Sequence, residues 1–168
     1  MTSSATALPD AEVLCQQLSS DIKQLIEDKE LRQPLLIGIR TGGAWLAQRL
    51  QQSLDLPELG ILDISFYRDD FDERGLATQA KGSELPDSIE DRAIILVDDV
   101  LMSGRTIRAA MNEIFDYGRP TSIHLVSLID IGQRQLPIQA DLVGAKLTLK
   151  PEQKIKLSGP NPLQLSIG

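Results

Sequence analysis

Apolar positions recur along this chain with two alternating periods. Over residues 11–29, Leu14, Leu18, Ile22, Leu25 and Ile26 return every three or four places, the spacing that lines one side of a helix. PLLIGI, 34–39, is an unbroken apolar run of buried-strand length. It stops at RTGG, 40–43, and helical spacing resumes with Trp45, Leu46, Leu50 and Leu54. LGILDISFY, 59–67, predicts a second strand and AIILV, 93–97, a third. Ile107, Ala110, Met111, Ile114 and Phe115 then make a helical stripe that ends at Gly118, a C-terminal cap. SIHLVSLI, 122–129, predicts another strand. DLVGAKLTL and IKLSGPNPLQLSI predict short strands separated by proline and glycine, the last at an edge. The stretch 68–91 is mostly polar, and a structureless loop of that kind in a compact domain is usually functional, as an active-site lid is.

Strands alternating with helices predict an α/β domain, a mainly parallel sheet covered on both faces. The 168 residues suit a single domain over 1–168. In such sheets ligands bind at the carboxyl ends of the strands, where both unusual turns, RTGG and DDVLMSGRT, lie.

Composition narrows the chemistry. The apolar share of 42% and charged share of 24% are those of a soluble globular protein, and no apolar run approaches the roughly 20 residues that span a bilayer. The first residues, MTSSATALPDAE, lack the basic and apolar segments of a secretion signal, so a cytoplasmic protein with no membrane partner is expected. The single cysteine, Cys15, and single histidine, His124, exclude an internal disulfide and a cysteine- or histidine-rich metal site; a metal here must be held by oxygen. Cys15 and Trp45 fit core packing, and His124 lies inside a strand away from both turns. A net charge of −7 argues against general affinity for nucleic acid.

The segment IILVDDVLMSGRT, 94–106, carries the most chemistry. Ser103 and Gly104 let the backbone approach a ligand, and the following helix N-terminus offers unpaired N–H groups, so a phosphate fits from Met102 to Thr106. Ser103, Thr106 and Arg105 are further donors. Carboxylates next to a phosphate repel it unless they hold hydroxyls or a hydrated divalent cation, and Asp98 and Asp99 therefore point to a ribose diol and Mg²⁺. Paired aspartates also serve as turn formers, but apolar strand, paired acids, small-residue loop and amphipathic helix in that order are more specific. Neither G-x-x-x-x-G-K-[ST] nor G-x-G-x-x-G occurs.

IILVDDVLMSGRT resembles the signature of the type I phosphoribosyltransferases, which use 5-phosphoribosyl-1-pyrophosphate (PRPP). IGIRTGGAWLAQRL, LDISFYRDDF, DDVLMSGRTIRAAMNEIFDYGRP and LPIQADLVGAKL, over roughly residues 35–150, are similar in order and spacing to the pyrimidine-operon attenuator and uracil phosphoribosyltransferase family, PyrR. The resemblance implies the type I phosphoribosyltransferase fold with a small hood, a homodimer or higher homo-oligomer, and PRPP, uracil and UMP as ligands with Mg²⁺ as cofactor. It puts pyrophosphate in the turn Arg40, Thr41, Gly42 and Gly43, and the phosphorylated ribose on Val100, Leu101, Met102, Ser103, Gly104, Arg105 and Thr106. Asp98 and Asp99 become catalytic and metal-binding, the latter through water, and Arg68 catalytic at the start of the lid. Lys81 fits a solvated loop. The base is expected near Ile129, Asp130, Val143 and Gly144.

The chain departs from the family at three charged positions. Gly42 stands where members commonly carry arginine, and DIGQRQLP replaces Asp-Arg-Gly-His-Arg-Glu-Leu-Pro, so that Ile131 and Gln133 take the places of an arginine and a histidine. Over residues 11–30, two lysines face five acids, a balance of −3, where an RNA-binding face should be basic. Some basic groups remain, notably Arg105, Arg108, Arg119 and Arg134. A uracil phosphoribosyltransferase is therefore ranked ahead of an RNA-binding regulator that senses uridine nucleotides, and of a phosphoribosyltransferase for another base.

Overall fold

The computed structural model describes residues 7–64 and 82–168. Helix α1 (Ala11–Asp28) is followed by β1 (Leu35–Ile39), α2 (Gly42–Leu54), β2 (Leu59–Leu62), β3 (Ala93–Leu101), α3 (Arg105–Tyr117), β4 (Ser122–Asp130) and β5 (Leu142–Lys146). The five strands form one parallel sheet in the order β2-β1-β3-β4-β5. The last two strands, β6 (Ile155–Ser158) and β7 (Gln164–Ile167), pair antiparallel as a separate hood.

Residues in β1 and β3 alternate between two apolar clusters, as the two-residue period of a strand requires. Leu36, Ile95 and Val97 join Leu14, Leu18 and Ile22 of α1 and Leu46, Ala47 and Leu50 of α2. Leu35, Ile37, Ile94 and Leu96 join Ile107, Ala110 and Ile114 of α3 on the other face. A sheet covered on both sides needs unbroken apolar strands, and every residue of β1 is buried.

Three expectations shift. Strand β3 runs on through Asp98 and Asp99 to Leu101, because β4 continues beside it and pairs Val100 with Ile129 and Leu101 with Asp130. Phe115 is 59% exposed and not part of the buried stripe; one residue past Ile114 turns about 100° around a helix, away from the sheet. Only Leu59–Leu62 of the 59–67 segment form a strand, and residues 65–67 lie outside the described residues. So do Arg68, Lys81 and the lid as far as residue 81. The end of that polar stretch is docked: Ile61 and Glu84 exchange backbone hydrogen bonds of 2.8 and 2.7 Å, and Ile89 is buried.

The hood is tied to the helices it covers. Ile155, Leu157, Leu163 and Leu165 enter the α1–α2 cluster. The Arg49 guanidinium forks onto the Glu12 carboxylate at 2.7 and 2.8 Å and donates to Asn161 Oδ1 at 3.1 Å, while Leu163 N–H donates to Glu12 Oε1 at 2.9 Å. The Arg49 hydrogen bond holds the Glu12 carboxyl below its ordinary pKa, with the Leu163 N–H adding to the effect. Trp45 is half-buried against the same cluster, and Cys15 is buried within it. No helix of the described residues is long and apolar enough to cross a membrane.

Candidate active site

In this sheet order the chain reverses direction between β1 and β3, and ligands of open α/β sheets bind outside the carboxyl ends of the strands at that point. Both unusual turns stand there. β1 leads into Arg40–Gly43, and β3 leads into Met102–Gly104. Helix α1, at another part of the fold, is capped by the Asp10 carboxylate, which accepts from Glu12 N–H at 2.8 Å. Neither α2 nor α3 receives a hydrogen bond from its N-cap side chain. Two helix N-termini are thus left facing one crevice, where their N–H groups and dipoles favour anions.

The first turn depends on close backbone approach. The Arg40–Thr41 peptide is cis. A Cβ on Gly43 would sit 2.6 Å from the Val97 carbonyl oxygen and 3.1 Å from Asp98 Cα, so α2 can begin against β3 only with glycine there. A Cβ on Gly42 would run into the Asp99 carboxylate. That contact shows where Asp99 points: from β3 across to the start of α2, bridging the two turns. Arg40 Nε is buried without a hydrogen-bond partner, a donor at the place where the resemblance puts pyrophosphate.

The second turn is shaped differently. Gly104 has φ +94°, a conformation that favours glycine, and begins α3. Ser103 Oγ accepts from Arg105 N–H at 3.1 Å, and Arg105 Nε donates to Gln135 Oε1 at 2.8 Å. Asp98 is 5% exposed, with Oδ1 accepting from Asp99 N–H at 2.9 Å; Asp99 is half-buried, with Oδ1 accepting from Val100 N–H at 2.8 Å. No cluster of three acidic, histidine or cysteine side chains exists among the described residues. A protein cage for a metal is therefore not what these residues offer. Two carboxylates beside an anion-binding turn do fit Mg²⁺, which keeps water and takes ligands from substrate phosphates.

Asp98, Val100, Leu101, Met102, Ser103, Gly104, Thr106 and Ile107 line one side of a cavity of about 350 Å³. Its other wall is made by Ile131 and Gln133 after β4 and by Gln153, Lys154 and Ile155 of the hood. Sequence reasoning missed the hood residues. PEQKI has no periodicity to announce that it folds back over the strand ends.

The residues expected around the base are placed less uniformly. Ile129 is fully buried in the core. Val143 and Gly144 are half-buried in β5, with a Cβ on Gly144 lying 2.5 Å from the Leu128 carbonyl oxygen and 3.4 Å from Leu14 Cβ, toward α1. None of these three lines the cavity beside the Met102–Gly104 turn. Asp130 borders a neighbouring hollow of about 490 Å³ with Ile131, Gln133, Lys146 and Leu147.

Asp130 is held by Arg134. Nη2 donates to Asp130 Oδ2 at 2.6 Å, Nη1 to the Met102 carbonyl at 2.8 Å, and Nε to the Ile138 carbonyl at 2.6 Å. One guanidinium thereby fastens the segment after β4 to the Met102–Gly104 turn. Gln135 and Leu136 N–H groups add bonds of 2.9 and 3.1 Å to the Ser103 carbonyl. Burial raises the Asp130 pKa, but Arg134 and the Gly132 N–H outweigh it and leave the carboxyl below its ordinary value. Of Arg105, Arg108, Arg119 and Arg134, two, Arg105 through Nε and Arg134 through its whole guanidinium, thus make bonds within the chain.

This geometry can be set beside known proteins. The model of the phosphoribosyl transferase domain matches residues 4–156. The bifunctional protein PyrR of Pseudomonas syringae pv. syringae is 51% identical over 96% of this chain and 95% of its own length, and that of Pseudomonas fluorescens strain Pf-5 is 52% identical over 96% of each. Among solved structures, a hypoxanthine phosphoribosyltransferase from Staphylococcus aureus superposes with a TM-score of 0.64 at 24% identity, over 84% of this chain and 75% of that one. A purine phosphoribosyltransferase from Pyrococcus horikoshii gives 0.60 at 18% identity, over 81% and 82%. At such identities the superpositions speak for the fold, which is the type I phosphoribosyltransferase fold. Half the residues shared over nearly the whole length, with both turns in place on that fold, settle the family: the chain belongs to the PyrR family of phosphoribosyltransferases.

Proposed function

We propose that the chain is a uracil phosphoribosyltransferase, joining N1 of uracil to C1 of the ribose of PRPP and releasing pyrophosphate. One observation carries the proposal: Asp98 and Asp99 stand between the Arg40–Gly43 turn and the Met102–Thr106 turn, with Asp99 against Gly42. The sugar of a substrate phosphorylated at both ends would lie on these carboxylates. The 5′-phosphate would take the N-terminus of α3 with the Ser103 and Thr106 hydroxyls, and the pyrophosphate the N-terminus of α2 with Arg40 Nε, the buried donor without a partner. Mg²⁺ held through water on Asp98 and Asp99 would supply charge neutralisation for the departing pyrophosphate. No protein nucleophile is required. Orientation by the two turns and stabilisation of positive charge on the ribose by the carboxylates are the contributions of the chain itself.

Gln133 and Gln153 place amide groups around the cavity and Ile131 and Ile155 supply apolar walls. Such a lining suits a small base with a polar edge and an apolar face. A PRPP-dependent assay over a panel of free bases tests this. Uracil is expected to be consumed with pyrophosphate release, and hypoxanthine, adenine and orotate to be poor substrates. Turnover of another base in preference to uracil would refute the uracil assignment while leaving the reaction class intact.

The word bifunctional in the names of the Pseudomonas relatives favours a second reading, regulation of pyrimidine genes through RNA. Charge opposes it. The net charge is −7, residues 42, 131 and 133 carry none of the expected cations, and only Arg108 and Arg119 of the four arginines remain exposed without side-chain bonds. Each phosphate contact contributes roughly 0.7–0.9 to the slope of log affinity against log salt, so a shallow slope is expected on pyrimidine-leader RNA, with or without UMP. Tight, UMP-enhanced binding with a steep slope would make regulation the primary role.

A further inference from the structure

At the opposite end of the sheet, the amino ends of β3 and β4 border a second cavity of about 390 Å³. Three segments build it: Lys29, Glu30, Leu31 and Arg32 from the connection between α1 and β1, Ala93 from β3, and Thr121, Ser122 and His124 at the entry to β4. Ala93 and Asp98 are five residues apart in one strand, so this cavity stands about 16 Å from the carboxylates.

Its electrostatics run against the rest of the chain. In a protein of net charge −7, two cations meet one acid here. The Lys29 and Arg32 side chains are exposed and make no hydrogen bond or ion pair among the described residues. Nearby acids do pair elsewhere: Glu58 accepts from Arg92 at 3.1 Å, and Asp141 from Leu125 N–H at 2.7 Å. His124 is 8% exposed, with Nε2 3.0 Å from Ser122 Oγ. Burial lowers the pKa of the imidazole, Asp141 opposes this and Lys29 lowers it further, so the ring is neutral at pH 7.5. Unpaired like charges around a cavity that also holds two hydroxyls are poorly arranged for stability and well arranged for an anion. The guanidinium fork matches a phosphate, and an ammonium and two hydroxyls can complete its shell.

We propose that this cavity binds the phosphate group of a small molecule between Lys29 and Arg32, with the Thr121 and Ser122 hydroxyls donating. The cavity is comparable in size to the one at the catalytic end, which is the range of small-molecule sites.

His124 is the only histidine in the chain and lines this cavity, so its ring resonances are unambiguous and sit at the site itself. The experiment is a titration of the full protein at pH 7.5 and constant ionic strength with inorganic phosphate and, separately, with UMP, followed by imidazole NMR. A saturable shift of the His124 signals is expected, with an apparent dissociation constant that rises about tenfold or more in Lys29→Gln/Arg32→Gln. Both residues are exposed, so that variant should fold, and unchanged circular dichroism and thermal midpoint check this. Saturation by phosphate alone would assign the site to the free anion, and tighter saturation by UMP would assign it to a nucleotide. Absence of a saturable shift, or an equal shift in the double variant, would overturn the proposal. The uracil assignment is judged separately by the base panel, because neither Lys29 nor Arg32 approaches the catalytic turns.

Discussion

Replacing Asp98 and Asp99 together by Asn lowers PRPP-dependent turnover by about a thousandfold or more, the scale at which preorganised electrostatic contacts matter, while the fold survives. The substitution separates shape from charge. Asn keeps the size of Asp and an oxygen that can accept from the Asp99 and Val100 N–H groups, the bonds that set each side chain against β3. The two negative charges are removed. With them would go the partners proposed for a hydrated Mg²⁺ and the charge proposed to stabilise a cationic ribose. Steady-state assay with PRPP, uracil and Mg²⁺, together with a thermal melt, checks both halves. Activity near that of the unaltered protein would remove these carboxylates from the mechanism. A collapsed melting transition would show a structural role at the strand end.

The paired acids could be found from sequence because two signals coincide at one place. An apolar run stops, and small residues follow where a ligand needs backbone access. RTGG was legible for the same reason, and the structure gives the physical basis: Gly43 has the Val97 carbonyl where a Cβ would go. What sequence periodicity misjudged was the length of β3. Asp98 and Asp99 break the apolar run, yet the strand continues because hydrogen bonding to β4 follows the backbone and ignores polarity. The hood wall was hidden for a different reason. Gln153, Lys154 and Ile155 reach the cavity because the hood is held down by contacts distant in sequence, its apolar residues in the α1–α2 cluster and Glu12 on Arg49 and Leu163, and no local pattern encodes such contacts. Arg134 carried no signal either. It follows Asp130 by four residues outside any helix, where that spacing predicts nothing.

Arg134 is nevertheless the side chain whose loss should cost the fold most near the site. In Arg134→Met the stem packing is largely kept, but the three bonds to Asp130, Met102 and Ile138 vanish. Asp130, only 8% exposed, is left with the Gly132 N–H and the more distant Lys146 charge. Removing one partner of a buried ion pair costs about 3–5 kcal/mol, and partial access to water puts this pair at or below the lower limit. For a chain of this size each kcal/mol moves the midpoint by roughly 2–4 °C, so a fall of roughly 5–10 °C is expected. Removing the stranded charge should restore part of it: Arg134→Met/Asp130→Asn melts above Arg134→Met. The pH dependence has a definite sign. In the unaltered protein Asp130 has a folded pKa below its unfolded value, so its contribution is present above that unfolded value, about 3.9, and is lost as pH falls through the folded one. In Arg134→Met both Arg134 contributions are gone while burial, the largest single one, stays, so the folded pKa is expected to rise above the unfolded value. The penalty then grows as pH rises through that folded pKa and shrinks toward pH 4, and the two melting curves converge in acid. Release of the Met102 carbonyl also loosens the turn proposed to hold the 5′-phosphate, so the KM for PRPP should rise more than kcat falls. Midpoints that stay parallel from pH 4 to pH 8, with no recovery in the double variant, would show that the ion pair is not what Arg134 contributes.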